Sequence, residues 1–112
     1  MSGPTITEAG ADLAEAFGGR VLGPSEAEVL HGSTESRSWD FPALGARVDL
    51  HQFADWESAQ RHALVVRSAA TGSELVEVAT NGSILMVVRA AAPTDERRYA
   101  IHDLISRFSG DE

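Results

Sequence analysis

Residues 74–90 read ELVEVATNGSILMVVRA, and the fold follows from how this stretch is paired. Two β-rich runs, 75–80 and 83–90, flank Asn81-Gly82, the strongest two-residue hairpin signal. A turn on that dipeptide sets Thr80 opposite Ser83, Val78 opposite Leu85 and Val76 opposite Val87. These apolar pairs share one face, because side chains alternate along a strand. The other face carries Leu75, Glu77, Ile84, Met86 and Val88. The second run is apolar on both faces, which predicts a central strand covered on both sides.

Working outward, Pro93 to Glu96 opens a final helix over 94–108. Thr94 is its N-cap and acids fill its first turn. Ile101, Leu104, Ile105 and Phe108 recur at helical spacing, and Gly110 stops it. Upstream, 38–41 and 46–53 read as strands joined across Pro42-Ala43-Leu44-Gly45. In the second of these, Val48 and Leu50 point one way, and Asp49, His51 and Phe53 the other. Asp55 caps a helix running to about residue 69, with Trp56, Ala59, Ala63 and Val66 as its inner stripe, Leu64 beside it and Thr71-Gly72 as its stop. At the N-terminus, Thr5 and Glu8 have capping-box spacing. Ile6, Ala9, Leu13 and Phe17 form the stripe of a helix that ends at Gly18-Gly19, and Gly10 weakens it. Residues 20–22 suit a short strand. Residues 24–32 hold a single helical turn or a loop, and 32–38 read as a loop. The two blocks of strand pair plus helix form a loose repeat.

These elements predict one α+β domain over residues 1–112, with 1–4 and 111–112 disordered. The expected architecture is a two-layer sandwich, a ferredoxin-like variant. Its antiparallel sheet has four strands in the order 74–80, 83–90, 46–53, 38–41. Helices 55–69 and 94–108 lie on one face, and a further helix precedes them. Right-handed crossover sets 46–53 beside 83–90.

Composition narrows function by exclusion. The chain of 112 residues has no Cys, so disulfides, thiolate metal sites and a Cys nucleophile are out. All nine basic residues are Arg, so a Schiff-base or P-loop lysine is out as well. The net charge of −8 argues against nucleic acid and anionic membranes and serves solubility. No apolar run approaches the roughly 20 residues of a membrane span. The first residues carry no basic region or apolar core of a signal peptide. That reading places a full-length chain in the cytoplasm, and a chain whose signal was removed outside it.

Motifs for chemistry are absent: no HExxH, no GxSxG and no GxGxxG. No metal or cofactor is expected. His31, His62 and His102 read as solvent-facing or unassigned, and Trp39 and Trp56 as packing residues. His51 shares its strand face with Asp49 and Phe53. If that face also carries Glu77 and Met86, an Asp49/His51/Glu77 constellation on an apolar floor suits a small enzyme or small-molecule carrier. The leading expectation is a non-enzymatic binding or protein-interaction domain. In it Asp49, His51, Phe53, Leu75, Glu77, Ile84, Met86 and Val88 line a ligand site or a homodimer interface through the sheet face. The occupant would be a twin, another protein or a small molecule, unless helix 6–17 covers the face.

The stretch Val48-Asp49-Leu50-His51-Gln52-Phe53, the run from Ala79 through Asn81-Gly82 to Val88 and the closing Phe108-Ser109-Gly110-Asp111-Glu112 together resemble small uncharacterised domains of GC-rich bacteria. The resemblance covers residues 46–112. Some of those domains are exported lipoproteins, which implies an extracytoplasmic lipoprotein-type domain as a further reading. In such relatives a lipid-bearing Cys precedes the mature chain, and none occurs here. The resemblance brings no catalytic residues with it.

Overall fold

The computed structural model describes residues 5–23, 33–69 and 74–110. The expected disorder at 1–4 and 111–112, the turn or loop at 24–32, His31 and the Thr71-Gly72 stop lie outside these residues. The elements in order are α1 (Ile6–Phe17), β1 (Arg20–Gly23), β2 (Glu35–Phe41), β3 (Ala46–Gln52), α2 (Trp56–Ala69), β4 (Glu74–Asn81), β5 (Ile84–Ala91) and α3 (Asp95–Ser109). A single 3-10 turn at Pro42–Leu44 joins β2 to β3. Gly45 closes that turn at φ +60°, the left-handed region that a side chain disfavours.

The caps form as the local chemistry dictates. Thr5 and Glu8 make a full capping box on α1. The Asp55 carboxylate accepts the Ser58 N–H at 2.8 Å, and the Thr94 hydroxyl accepts the Arg97 N–H at 3.3 Å. Gly18 and Gly110 take left-handed conformations and end α1 and α3.

Among the described residues the sheet is antiparallel, with five strands in the order β1-β2-β3-β5-β4. The expected four-strand order stands within it. β1 is the addition: it pairs with β2 through Arg20 opposite Asp40 and Val21 opposite Trp39. Antiparallel pairing of β3 with β5 and of β5 with β4 makes β3 and β4 parallel, with α2 as the crossover between them.

Three expectations are corrected. First, the hairpin turns on Gly82-Ser83. Asn81 pairs with Ile84, Thr80 with Leu85, Val78 with Val87 and Val76 with Arg89. Gly82 has φ +60° and Ser83 does not share the positive φ, the pattern of a II′ turn, which takes Gly first. Ser83 is also tied to β3, where its carbonyl accepts the Phe53 N–H at 2.9 Å. The shift moves each partner by two residues, so the faces within the hairpin are unchanged.

Second, the helices flank the sheet on both sides, so the molecule has three layers and is not the two-layer ferredoxin-like arrangement. α1 and α3 contribute Ile6, Leu13, Ile101, Leu104 and Phe108 to a core with Trp39, Phe41, Val48, Leu50, Ile84, Met86 and Val88. α2 contributes Ala59 and Ala63 to a separate core with Phe53, Val78, Leu85 and Val87. The crossover rule constrains α2, which leads from β3 into the parallel strand β4. Among the described residues no strand follows α3, so the rule does not bind it. The chain leaves β5 through Ala92, at φ +40°, and packs α3 on the other side.

Third, the stripe of α2 is narrower than its sequence suggested. Ala59 and Ala63 are buried, but Trp56 and Leu64 are exposed.

Candidate functional site

Strand pairing decides which of the expected site residues meet. Leu50 stands opposite Met86, Asp49 opposite Val87 and His51 opposite Leu85. Asp49, His51 and Phe53 therefore share the α2 side of the sheet with Val78, Leu85 and Val87. Leu75, Glu77, Ile84, Met86 and Val88 lie on the α1/α3 side. Asp49, His51 and Glu77 do not form one constellation, because the sheet stands between Glu77 and the other two. The error has a physical source. β3 and β5 are not joined by a turn, so no local signal sets their register, and a wrong assignment exchanges the faces.

The apolar face once available for a dimer is filled from within the chain. Ile84, Met86 and Val88 are fully buried against α1 and α3, and Leu75 packs at the margin of the same core. That leaves no apolar sheet face at these residues for a twin.

On the α2 side, β2 and β3 present a row of polar cross-strand pairs. Ser36 faces His51, Ser38 faces Asp49 and Asp40 faces Arg47. The Ser36 hydroxyl and His51 Nδ1 are 2.7 Å apart. Asp49, with a side chain only 2% exposed, is the hub. It accepts the Ser38 hydroxyl, Arg47 Nε at 3.1 Å and Arg89 Nη1 at 3.0 Å. Arg47 Nη2 also donates to the Ser38 hydroxyl at 3.1 Å. Arg47 and Arg89 face one another across β3 and β5, and the carboxylate between them offsets their repulsion. Arg20 and Asp40 extend the row to β1 at 3.5 Å. Every buried carboxylate oxygen here holds a donor. The arrangement is that of a structural network, with Asp49 committed to its neighbours.

His62, expected in solvent, is half-buried on α2. Its ring stacks on Phe53 at 4.6 Å between centroids, and its Nδ1 lies 2.8 Å from the Ser58 carbonyl oxygen. His102 is exposed beside a groove. Among the described residues no cluster of His, Asp and Glu has the makings of a metal site, and no helix is long and apolar enough to cross a membrane.

The remaining candidate is an edge that sequence reasoning passed over. Among the described residues β4 is the outermost strand beyond β5, eight residues long, with neither Pro nor Arg in it. The residues flanking a two-residue turn exchange both backbone bonds, so Asn81, Ala79, Glu77 and Leu75 bond inward to β5. The N–H and C=O groups of Val76, Val78 and Thr80 then point outward. Grooves flank this edge on both sides of the sheet. One, of about 310 Å³, lies between β4 and α3 and is lined by Leu75, Glu77, Arg98, Ile101, His102 and Ile105. The other, of about 190 Å³, lies toward α2 and includes Gln60, Ala63, Leu64, Arg67, Val78 and Thr80. The opposite edge, β1, has four residues and a register break between Val21 and Gly23, which blunts it. The signal for the edge was present in the sequence, as a long hairpin arm without Pro, and the expected strand order already set it outermost. The flanking grooves come only with the packing of α2 and α3.

No protein-family model, curated protein or solved structure matches this chain.

Proposed function

We propose that the chain is a non-enzymatic protein-interaction domain that accepts a partner's extended strand along the open edge of β4. The observation that carries this reading is the row of outward backbone groups at Val76, Val78 and Thr80, flanked by a groove on each face. Main-chain hydrogen bonds supply affinity in strand addition, and pockets for alternate side chains supply selectivity. Both parts have a counterpart here. The groove beside α3 has an apolar floor of Leu75, Ile101 and Ile105, with Glu77, Arg98 and His102 as polar groups around it. Natural sheets guard long edges with Pro, charged side chains or bulges; β4 has neither Pro nor a bulge along its eight residues, and its only charges are Glu74 and Glu77. The polar row on β2 and β3 supports the non-enzymatic part of the reading, since its hub is fully engaged by its own neighbours.

The test is selection of displayed random peptides on the immobilised protein, followed by backbone amide mapping of the binders. Binders are expected to protect the amides of Val76, Val78 and Thr80 from exchange. Binders that perturb only the Ser36/His51 region, or a selection on a monomeric chain that yields no binder, overturn the reading.

A further inference from the structure

The occupant of this edge is open to a sharper statement, which rests on the strand-addition reading above. We propose that a second copy of the chain pairs β4 to β4 about a two-fold axis through Val78, joining two five-stranded sheets into one.

Register leaves few choices. Outward-bonding residues must face outward-bonding residues, so a symmetric antiparallel pair is centred on one residue. Centres at Glu77 and at Val78 give the longest overlap for a strand of this length. A centre at Glu77 sets two carboxylates directly opposite each other, which is destabilising. A centre at Val78 sets Glu77 opposite Ala79 of the second copy and Val76 opposite its Thr80, with no like charges facing.

α2 supplies an independent indication. Gln60 Nε2 donates to the Thr80 hydroxyl at 2.8 Å, which ties the start of α2 to the end of β4. Residues 70–73 alone separate the two elements, so α2 runs back antiparallel to the strand. The four residues from Gln60 to Leu64 rise about 6 Å along the helix, and two strand residues span about 6.7 Å. Leu64 is therefore level with Val78, and it lines the same groove. Leu64 is also 63% exposed, so its side chain is available to a second copy. α2 lies over β4 and β5. With strands about 4.8 Å apart, two-fold pairing brings the two α2 axes to about 10 Å, the distance of packed helices. The leucine left in solvent by one chain is then covered by its twin at the axis itself. The strand and the helix select the same centre.

The experiment uses the full chain. Sedimentation velocity is expected to show a monomer–dimer equilibrium, and Leu64→Glu to weaken it by about tenfold or more by setting two carboxylates at the axis. The monomeric fold should be untouched, because the side chain is exposed. The chain has no cysteine, so Leu64→Cys supplies a second readout. Incubated with oxidised glutathione, it is expected to form a disulfide-linked dimer far faster than Tyr99→Cys, which is more exposed, at 75%, but lies on α3. A wild-type chain that stays monomeric at millimolar concentration overturns the proposal, as does a dimer indifferent to Leu64→Glu or equal crosslinking by the two cysteines. If the chain is monomeric while selected peptides still protect Val76, Val78 and Thr80, the twin is wrong and the edge reading stands. If the peptides fail too, the edge reading falls with it.

Discussion

Gly10 sits in the middle of α1, where helix propensity alone favours replacing it. Gly10→Ala gains about 1 kcal/mol in an exposed helix interior. Here the structure reverses the sign. A Cβ at residue 10 would stand 2.0 Å from Cζ2 of Trp39, 2.3 Å from Cη2 and 2.4 Å from Cε2. Carbon atoms in contact prefer about 3.5–4.0 Å, so indole or helix must retreat by more than 1 Å. The indole has no room to do so, because Trp39 is 4% exposed within the α1/α3 core. Overpacking of this kind costs about 1–3 kcal/mol and occasionally more. Set against the propensity gain, the net expectation is a loss of up to about 2 kcal/mol. For a chain of this size a loss of about 2 kcal/mol lowers the melting temperature by about 8 °C. Urea unfolding followed by far-ultraviolet circular dichroism measures it, a readout independent of tryptophan. In a Trp39→Phe background the clash is relieved, and Gly10→Ala should become close to neutral or stabilising. Stabilisation of the parent by Gly10→Ala, or an equal effect in both backgrounds, refutes the reasoning.

His51→Ala is expected to lower stability by about 1–3 kcal/mol, since it leaves the Ser36 hydroxyl without that partner and opens space at a fully buried position. An unchanged unfolding midpoint would instead return His51 to consideration as a ligand group. For pH, the hydrogen bond from Arg107 holds the Asp12 carboxyl below its ordinary 3.8, and it links α1 to α3 through two contacts of 2.9 Å. The folded state therefore favours the ionised form. Its contribution is complete above 3.8 and is lost as the pH falls through the lowered folded value. Asp12→Asn should make the acid limb of stability shallower, and high salt should reduce the difference, because the pair is exposed. Urea midpoints between pH 2 and pH 7 test both statements.

Much of the fold was legible because its signals are local. Thr5 with Glu8, Asp55, Thr94 and the closing glycines mark helix ends within a few residues. The alternation around 75–90 marks a hairpin and sorts its faces. What failed was non-local. Whether Asp49 or Leu50 lies level with Met86 depends on strands far apart in sequence, whose register is chosen by two cores packing at once. The side taken by α3 was likewise open, since no later strand constrains it. Gly10 looked like a flaw in a helix until Trp39 was seen against it. The edge position of 74–80 was already legible in the expected strand order; the grooves beside it were not, because they form only where α2 and α3 pack on opposite sides of the sheet.

The pairing of Asp49 with Ser38, Arg47 and Arg89 spans β2, β3 and β5. A slide of β3 by one residue would carry Asp49 and His51 into the layer of Met86, Val88 and Ile101, and bring Val48 and Leu50 among the arginines. Burying a carboxylate without its partners costs several kcal/mol, a large share of the stability of a small protein. The carboxylate thus acts as a molecular key. It adds little to the depth of the native well, but it raises the misaligned sheets that a chain so rich in valine, leucine and alanine would otherwise sample while folding.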